Sequence, residues 1–434
     1  MLKVSERMSL TNINIVAVAR YFVSFSMFMF LMLSVSFSGS YAISGTLIIL
    51  SYLFFFSKEV RQQISLSKTE KWLIIVFLGY LLSVLCEILY YSIPVSVMDS
   101  EGKILLFIPL ILLLNAVKIN PKVIVFGLGF GALGVFTLAF YEHFILGVVR
   151  VGSFINAIQL GNIALTFGLL SLLMSGYKLK NCKYPKTIRI LLLLSGIGGV
   201  IAALLTLTRG GLVFLPVILI ISSFYFITEV KQFKKQLLIG LVITCGTLFL
   251  LSDGVFTKRI QTSLNNIESY FVDGKATTST GIRLELWKAA ILIAKENQVL
   301  GVGNIQYLKD KDTLINQGDL QSSIRKYDSS HNAYFYAYVR RGFVGLFFLT
   351  ALLVYPVYIA HRELRKTKNN KDRSRIPAIS LLVFGLFFIF ANLTQALFHH
   401  NSGMIMYNGL LILLIYLNVQ ASQSNAKPTD EPIN

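Results

Sequence analysis

The side chains in this 434-residue chain best suited to chemistry are one histidine and three arginines. His331 stands in Asp328-Ser-Ser-His331-Asn332. An imidazole gains and loses a proton near neutral pH, which suits it to general-base work. Asp328, Ser329 and Ser330 read as a helix start, so His331 is expected in the first helical turn. The positive end of the helix dipole disfavours imidazolium there, leaving a neutral ring able to accept a proton. At about 100° per residue, His331, Phe335, Tyr338, Gly342 and Gly345 would share one face of a continuous helix. The two glycines on that face would permit close helix packing. A structural histidine, hydrogen-bonded at an interface, is the competing reading.

The arginines suit anion binding. Arg209 lies in Thr206-Leu-Thr208-Arg209-Gly210-Gly211, between two apolar runs with almost no loop. A cation at such a depth faces an anion or a cavity, or else snorkels to the interface. Gly210 and Gly211 let the backbone come close to a ligand, and a guanidinium fork matches phosphate oxygens. Arg283 opens a helical stretch from Gly281 to about Lys295, with Thr278, Ser279 or Thr280 as its cap. Ile282, Leu286, Ala289 and Ile293 form its apolar stripe, expected to pack on the bundle or the membrane. Arg283 and Trp287 are four residues apart and share a face, an arrangement that an ordinary interfacial helix also has. Arg150, in Arg150-Val-Gly-Ser-Phe, is the third arginine of this kind.

Other polar groups read as background. Asp310-Lys-Asp312 reads as a solvated loop, and Tyr334, Tyr336 and Tyr338 as interfacial aromatics. His399 and His400 do not have a metal-ligand spacing with His331, and neither metal nor cofactor is expected. Three scattered cysteines form no disulfide framework.

These side chains need a scaffold, and composition says what kind. The chain is 55% hydrophobic, with a mean hydropathy of +0.67. That composition predicts an all-α polytopic membrane protein. About twelve apolar runs reach bilayer-spanning length, beginning near Ile13, Tyr41, Trp72, Lys103, Lys122, Ala157, Ile188, Gly211, Leu237, Arg341, Ile376 and Gly403. The first run is too long for a signal-peptide core, so no cleavable signal is expected. The formal charge of +19 falls mainly in alternate connectors, as at Lys58–Lys71, Lys178–Arg189 and Arg362–Arg375. This is the positive-inside pattern of a membrane protein and not a nucleic-acid surface. Connectors 92–102, 147–156, 208–211 and 398–402 are poor in basic residues and fall on the other side, with both termini cytoplasmic. Residues 253–332, with ten basic and nine acidic side chains, form the one long polar loop, expected in the periplasm. The chain thus divides into helices one to nine (1–252), the loop (253–332), helices ten to twelve (333–419) and a short cytoplasmic tail (420–434).

His331-Asn332-x9-Gly342-x2-Gly345 resembles the signature of bacterial O-antigen ligases. Arg283-x3-Trp287-x2-Ala290 followed by Leu300-Gly301-x-Gly303 is similar to the large loop of the O-antigen ligase/polymerase superfamily, and Thr208-Arg209-Gly210 to its arginine just before that loop. The resemblance covers the whole topology. It implies an inverting, metal-independent glycosyltransferase of the membrane-embedded GT-C type in the bacterial inner membrane. The donor would be an O-antigen polysaccharide on undecaprenyl pyrophosphate, and the acceptor lipid A–core oligosaccharide. His331 would be the base, Arg209 and Arg283 the pyrophosphate binders, and Asn332, Trp287, Gly342 and Gly345 supporting residues; Arg150 has no firm counterpart. Some polymerases of the superfamily are described by paired Arg-x10-Gly motifs in two periplasmic loops. Arg150-x10-Gly161 fits one, but neither Arg283 nor Arg325 starts a second, which favours a ligase. A protein O-oligosaccharyltransferase and a lipid-linked sugar flippase are further alternatives.

Overall fold

The computed structural model describes residues 14–33, 36–37, 39–152, 154–177, 179, 185–208, 210–226, 255–274, 276–367 and 375–424. Every regular element among them is helical. The principal helices are α1 (Ile15–Leu33), α2 (Ser40–Ser51), α3 (Lys68–Tyr91), α4 (Ile104–Val117), α5 (Pro121–Phe140), α6 (Ala157–Met174), α7 (Pro185–Leu205), α8 (Leu215–Phe226), α9 (Val255–Val272), α10 (Ser279–Ala294), α11 (Asn304–Gln317), α12 (Ala333–Lys366), α13 (Ile376–Thr394) and α14 (Asn401–Ser424). Eight helices among the described residues are long and apolar enough to cross a membrane: α1, α3, α5, α6, α7, α12, α13 and α14. The chain is a polytopic integral membrane protein. The apolar runs near Tyr41, Lys103 and Gly211 form shorter helices, and the run near Leu237 lies outside the described residues.

Local chemistry sets the helix boundaries. Ser67 and Glu70 close a reciprocal capping box at the start of α3. Asn120, followed by Pro121, caps α5, and Asn156 caps α6. Glycines set the closest crossing: Gly168 of α6 meets the backbone of α7 at Gly196 and Gly199.

The connectors sort to two ends of the bundle. At one end Arg20 donates to Val117 O (2.6 Å), Arg362 to Thr69 Oγ1 (2.8 Å) and Tyr416 to Ile119 O (2.6 Å). At the other, Ser100 donates to His399 O (3.0 Å) and Asn304 N to Glu87 Oε1 (3.0 Å). His399 there pairs with Asp328 (3.4 Å). The basic-poor connectors and the polar segment therefore gather together, as the alternation of charge anticipates.

The polar segment is a folded unit. Thr278 is the cap of α10, accepting from Gly281 N at 3.1 Å. The stripe on α10 packs within the segment and on α12, not on lipid. Leu286 and Ala289 meet Ile315, Leu320 and Ile324, while Ala290 and Ile293 meet Tyr307, Tyr336 and Val339. Buried Glu285 accepts from Tyr270 Oη (2.7 Å) and Gln321 N (3.0 Å). Asp310 and Asp312 lie on α11 and not in a solvated loop. Between them Lys311 is buried and donates to the Tyr327 and Arg325 carbonyls, which satisfy an otherwise costly cation.

α12 is not continuous. Gly342 has φ 59° and ψ −153°, a conformation open essentially only to glycine, and the helix breaks there. The expected stripe from His331 to Gly345 is therefore not one helical face. Its opened backbone is repaired by the Leu300-Gly301-Val-Gly303 turn. Phe343 N donates to Gln298 O (2.8 Å), Val302 N to Val339 O (2.8 Å) and Gly303 N to Arg340 O (2.9 Å). A Cβ on Gly342 would overlap the Val299 carbonyl, and one on Gly301 the Arg340 backbone. Gly342→Ala is expected to cost about 1–3 kcal/mol in backbone strain before that overlap is counted. Thermal unfolding in detergent should show a lowered Tm, and an unchanged Tm would mean that the break is not required.

Candidate functional site

His331 sits one residue before the cap of α12, not in its first turn. Its φ of 49° is left-handed, unusual for a non-glycine residue. Asn332 is the cap: its Oδ1 accepts from Tyr334 N (2.9 Å) and Phe335 N (3.2 Å). Asn332 therefore holds the helix start, with Ser330 Oγ donating back to Asn332 O (2.7 Å). Trp287 fixes the same turn from α10: its indole N–H donates to Ser330 O (3.1 Å), and its ring lies 5.5 Å from that of Phe335. The spacing of Arg283 and Trp287 thus has a structural consequence, since α10 brings both toward His331.

The imidazole is partly buried, with Nδ1 2.8 Å from Gln395 Oε1 and its ring edge-on to Tyr327. Burial pushes its pKa below the ordinary histidine value, and the nearby Arg283 charge acts the same way against the opposing Gln395 hydrogen bond and Asp328 charge. Desolvation, and not a place in the first helical turn, is the main cause of that downward shift. Gln395 ends α13 and bridges onward, its Nε2 3.0 Å from His400 Nε2. His400 is also held below its ordinary pKa, by burial and the neighbouring His399. His399 in turn hydrogen-bonds Asp328 and holds its carboxyl down to about 2. Among the described residues no group of histidine, cysteine and acidic side chains has a metal-site arrangement.

Arg209 lies outside the described residues, but both flanks of its turn are defined. Leu207 has φ 53°, and the Thr206 and Thr208 hydroxyls are 2.9 Å apart. Gly161 packs directly under those hydroxyls, where any Cβ would overlap them. Arg150 is exposed and donates from Nε to Thr206 O at 3.4 Å. Two of the sequence-expected arginine segments, 150 and 206–208, are therefore in contact.

Where α3, the 95–103 connector and α12 meet lies an ionic cluster that sequence reasoning did not assemble. Arg340 Nε and Nη2 grip the two oxygens of Glu87 (2.9 Å each), and Nη1 reaches Glu101 (2.8 Å). Arg341 lies 3.8 Å from Glu87 and over the Tyr80 ring. Tyr336 is no interfacial aromatic: it is buried, with the Arg340 guanidinium 4.9 Å from its ring centre. The available signal was Glu87 itself, an acid inside an apolar run, which demands a partner. Nothing in the sequence pattern marked Gln395.

Residues 190–350 match the family model described as O-antigen ligase. That segment belongs to the O-antigen ligase/polymerase superfamily. The superfamily match takes in Arg209, Arg283, Trp287, His331, Asn332, Gly342 and Gly345, and leaves out Arg150, Glu87, Gln395 and His400. A Haemophilus influenzae protein described as uncharacterized is 28% identical over 365 residues, covering 82% of this chain and 88% of its own length. The likeness thus covers far more of the chain than the O-antigen ligase segment.

Proposed function

We propose that this protein is an O-antigen ligase. It transfers polysaccharide from undecaprenyl pyrophosphate to lipid A–core oligosaccharide on the periplasmic side of the inner membrane. The observation that carries the reading is the meeting, within an O-antigen ligase segment, of a partly buried imidazole, its pKa pushed down by burial, with Arg283 and Trp287. A sugar hydroxyl is a poor nucleophile until a base takes its proton, and His331 is placed to do so. Attack by the hydroxyl oxygen forms the new glycosidic bond as the anomeric carbon–oxygen bond breaks. The pyrophosphate leaves with that electron pair, and inversion follows from direct displacement. Arg209 and Arg283 neutralise the leaving group, so the reaction needs no divalent cation. The active site faces the periplasm, and both termini are cytoplasmic.

The second reading is a polymerase that lengthens the lipid-linked O-antigen. It is favoured by the packing of the Arg150-x10-Gly161 segment on the 206–208 turn. A deletion strain separates the two: loss of the ligase abolishes long-chain lipopolysaccharide while lipid-linked polymer persists. Core capped with a single repeat unit would instead mark a polymerase.

Arg283→Ala is expected to abolish transfer in protein that still inserts. Arg283→Lys should rescue only part, because a point charge replaces a planar fork. Titration with lipid-linked pyrophosphate donor checks the role. Unchanged rate and unchanged donor affinity in Arg283→Ala would remove Arg283 from the site.

A further inference from the structure

We propose that Gln395 is a positioning residue that fixes which nitrogen of His331 carries its proton. The inference rests on the reading of His331 as the base. The geometry is a three-residue chain: His331 Nδ1, 2.8 Å, Gln395 Oε1; then Gln395 Nε2, 3.0 Å, His400 Nε2. An amide oxygen has no proton to give, so the His331 nitrogen facing it must be N–H. The neutral ring is then the Nδ1–H tautomer, and its lone pair sits on Nε2, the nitrogen left to meet an acceptor hydroxyl. The amide NH2 has two protons and no accepting capacity, so His400 accepts at Nε2 and holds the amide in that sense. Gln395 is 1% exposed, so water does not compete for either contact.

The choice of an amide in place of a carboxylate has a consequence. A carboxylate at this position would fix the same tautomer but would also stabilise imidazolium, raising the His331 pKa. The uncharged amide orients the ring while leaving it neutral at rest. The charged and titratable groups facing His331 are Tyr327 and Asp328 on its own segment, Arg283 on α10, and His399 and His400 beyond Gln395. Only Asp328 among them carries negative charge, and its hydrogen bond goes to His399. In the transfer step the hydroxyl proton passes to Nε2, the oxygen bonds the anomeric carbon, and pyrophosphate departs with the electron pair. The imidazolium then returns its proton to solvent.

The test uses the full-length purified protein, lipid-linked polysaccharide donor and lipid A–core acceptor, with His331→Gln assayed alongside. Gln395→Leu is expected to lower kcat by about tenfold to a hundredfold, the usual effect of removing a residue that orients a functional group. Its KM for donor should be unchanged, and it should add no further loss in the His331→Gln background. Gln395→Glu keeps an acceptor for Nδ1–H, so it should remain active, with the acid limb of its pH–rate profile moved to higher pH. This second variant carries the test if Gln395→Leu fails to fold. A Gln395→Glu profile that superimposes on wild type overturns the inference, as does a folded Gln395→Leu protein with wild-type kcat. So does a Gln395→Glu rate above wild type, which would mean that the amide turns its NH2 toward His331. Those results with an inactive His331→Gln leave the base reading standing. An active His331→Gln sinks the base reading itself.

Discussion

His331→Gln is expected to lose glycosyl transfer by about 10²–10⁴-fold, the range that a positioned general base contributes. Glutamine keeps polar atoms in roughly the same place and can still reach Gln395, so folding and donor affinity should be largely retained. His331→Ala should lose transfer to a similar extent. The wild-type pH profile follows from the same ring. As the proposed base His331 acts through its neutral ring, so the rate is expected to be flat above the His331 pKa and to fall as pH drops through it. Burial and the Arg283 charge place that fall below the ordinary histidine range. A rate that instead rises toward acid pH, or a collapse of donor affinity with kcat intact, would make His331 a pyrophosphate contact.

The second large effect lies outside the chemistry. Arg340→Ala removes the ion-pair partner of buried Glu101 and leaves buried Glu87 with only the Asn304 N–H and the more distant Arg341. Breaking one partner from a buried ionic cluster typically costs about 3–5 kcal/mol. The loss should appear as a much lower Tm in detergent and poor recovery of monodisperse protein. Arg340→Lys should recover only part, because one ammonium cannot satisfy both Glu87 oxygens and Glu101. The cluster ties α3 and the 95–103 connector to α12 just before its break, so partial rescue should also leave a kcat deficit. Wild-type Tm in Arg340→Ala would show that the cluster contributes no stability.

What could be read without coordinates follows from the reach of each physical signal. Apolar runs and basic connectors report on solvent, so the helical membrane class and the sorting of connectors to two ends were legible. A cap among Thr278, Ser279 and Thr280 was legible too, because capping is local; the reach of Trp287 to Ser330, 43 residues on, was not. The break at Gly342 was not, since a period of 3.6 assumes an unbroken helix; only the turn at 300–303, about forty residues earlier, makes an opened backbone affordable. The Glu87–Arg340 pair joins residues 253 apart in sequence, beyond any periodic pattern. Gln395 was invisible for a different reason. A lone glutamine at the end of an apolar run looks like a helix terminus, and only folding places it between two imidazoles. Asp310 and Asp312 misled in the opposite sense, because a charged triplet reads as solvated until Lys311 is seen to be buried.

The proposed reaction is the joining of a lipid-linked polymer to lipid A–core by a base at His331. The most direct measurement is the product of purified protein reconstituted with undecaprenyl-pyrophosphate-linked O-antigen and lipid A–core oligosaccharide. The expected product is polysaccharide joined to the core, formed by wild type and absent with His331→Gln. Lengthened lipid-linked polymer with the core untouched, or equal joining by wild type and His331→Gln, would contradict it.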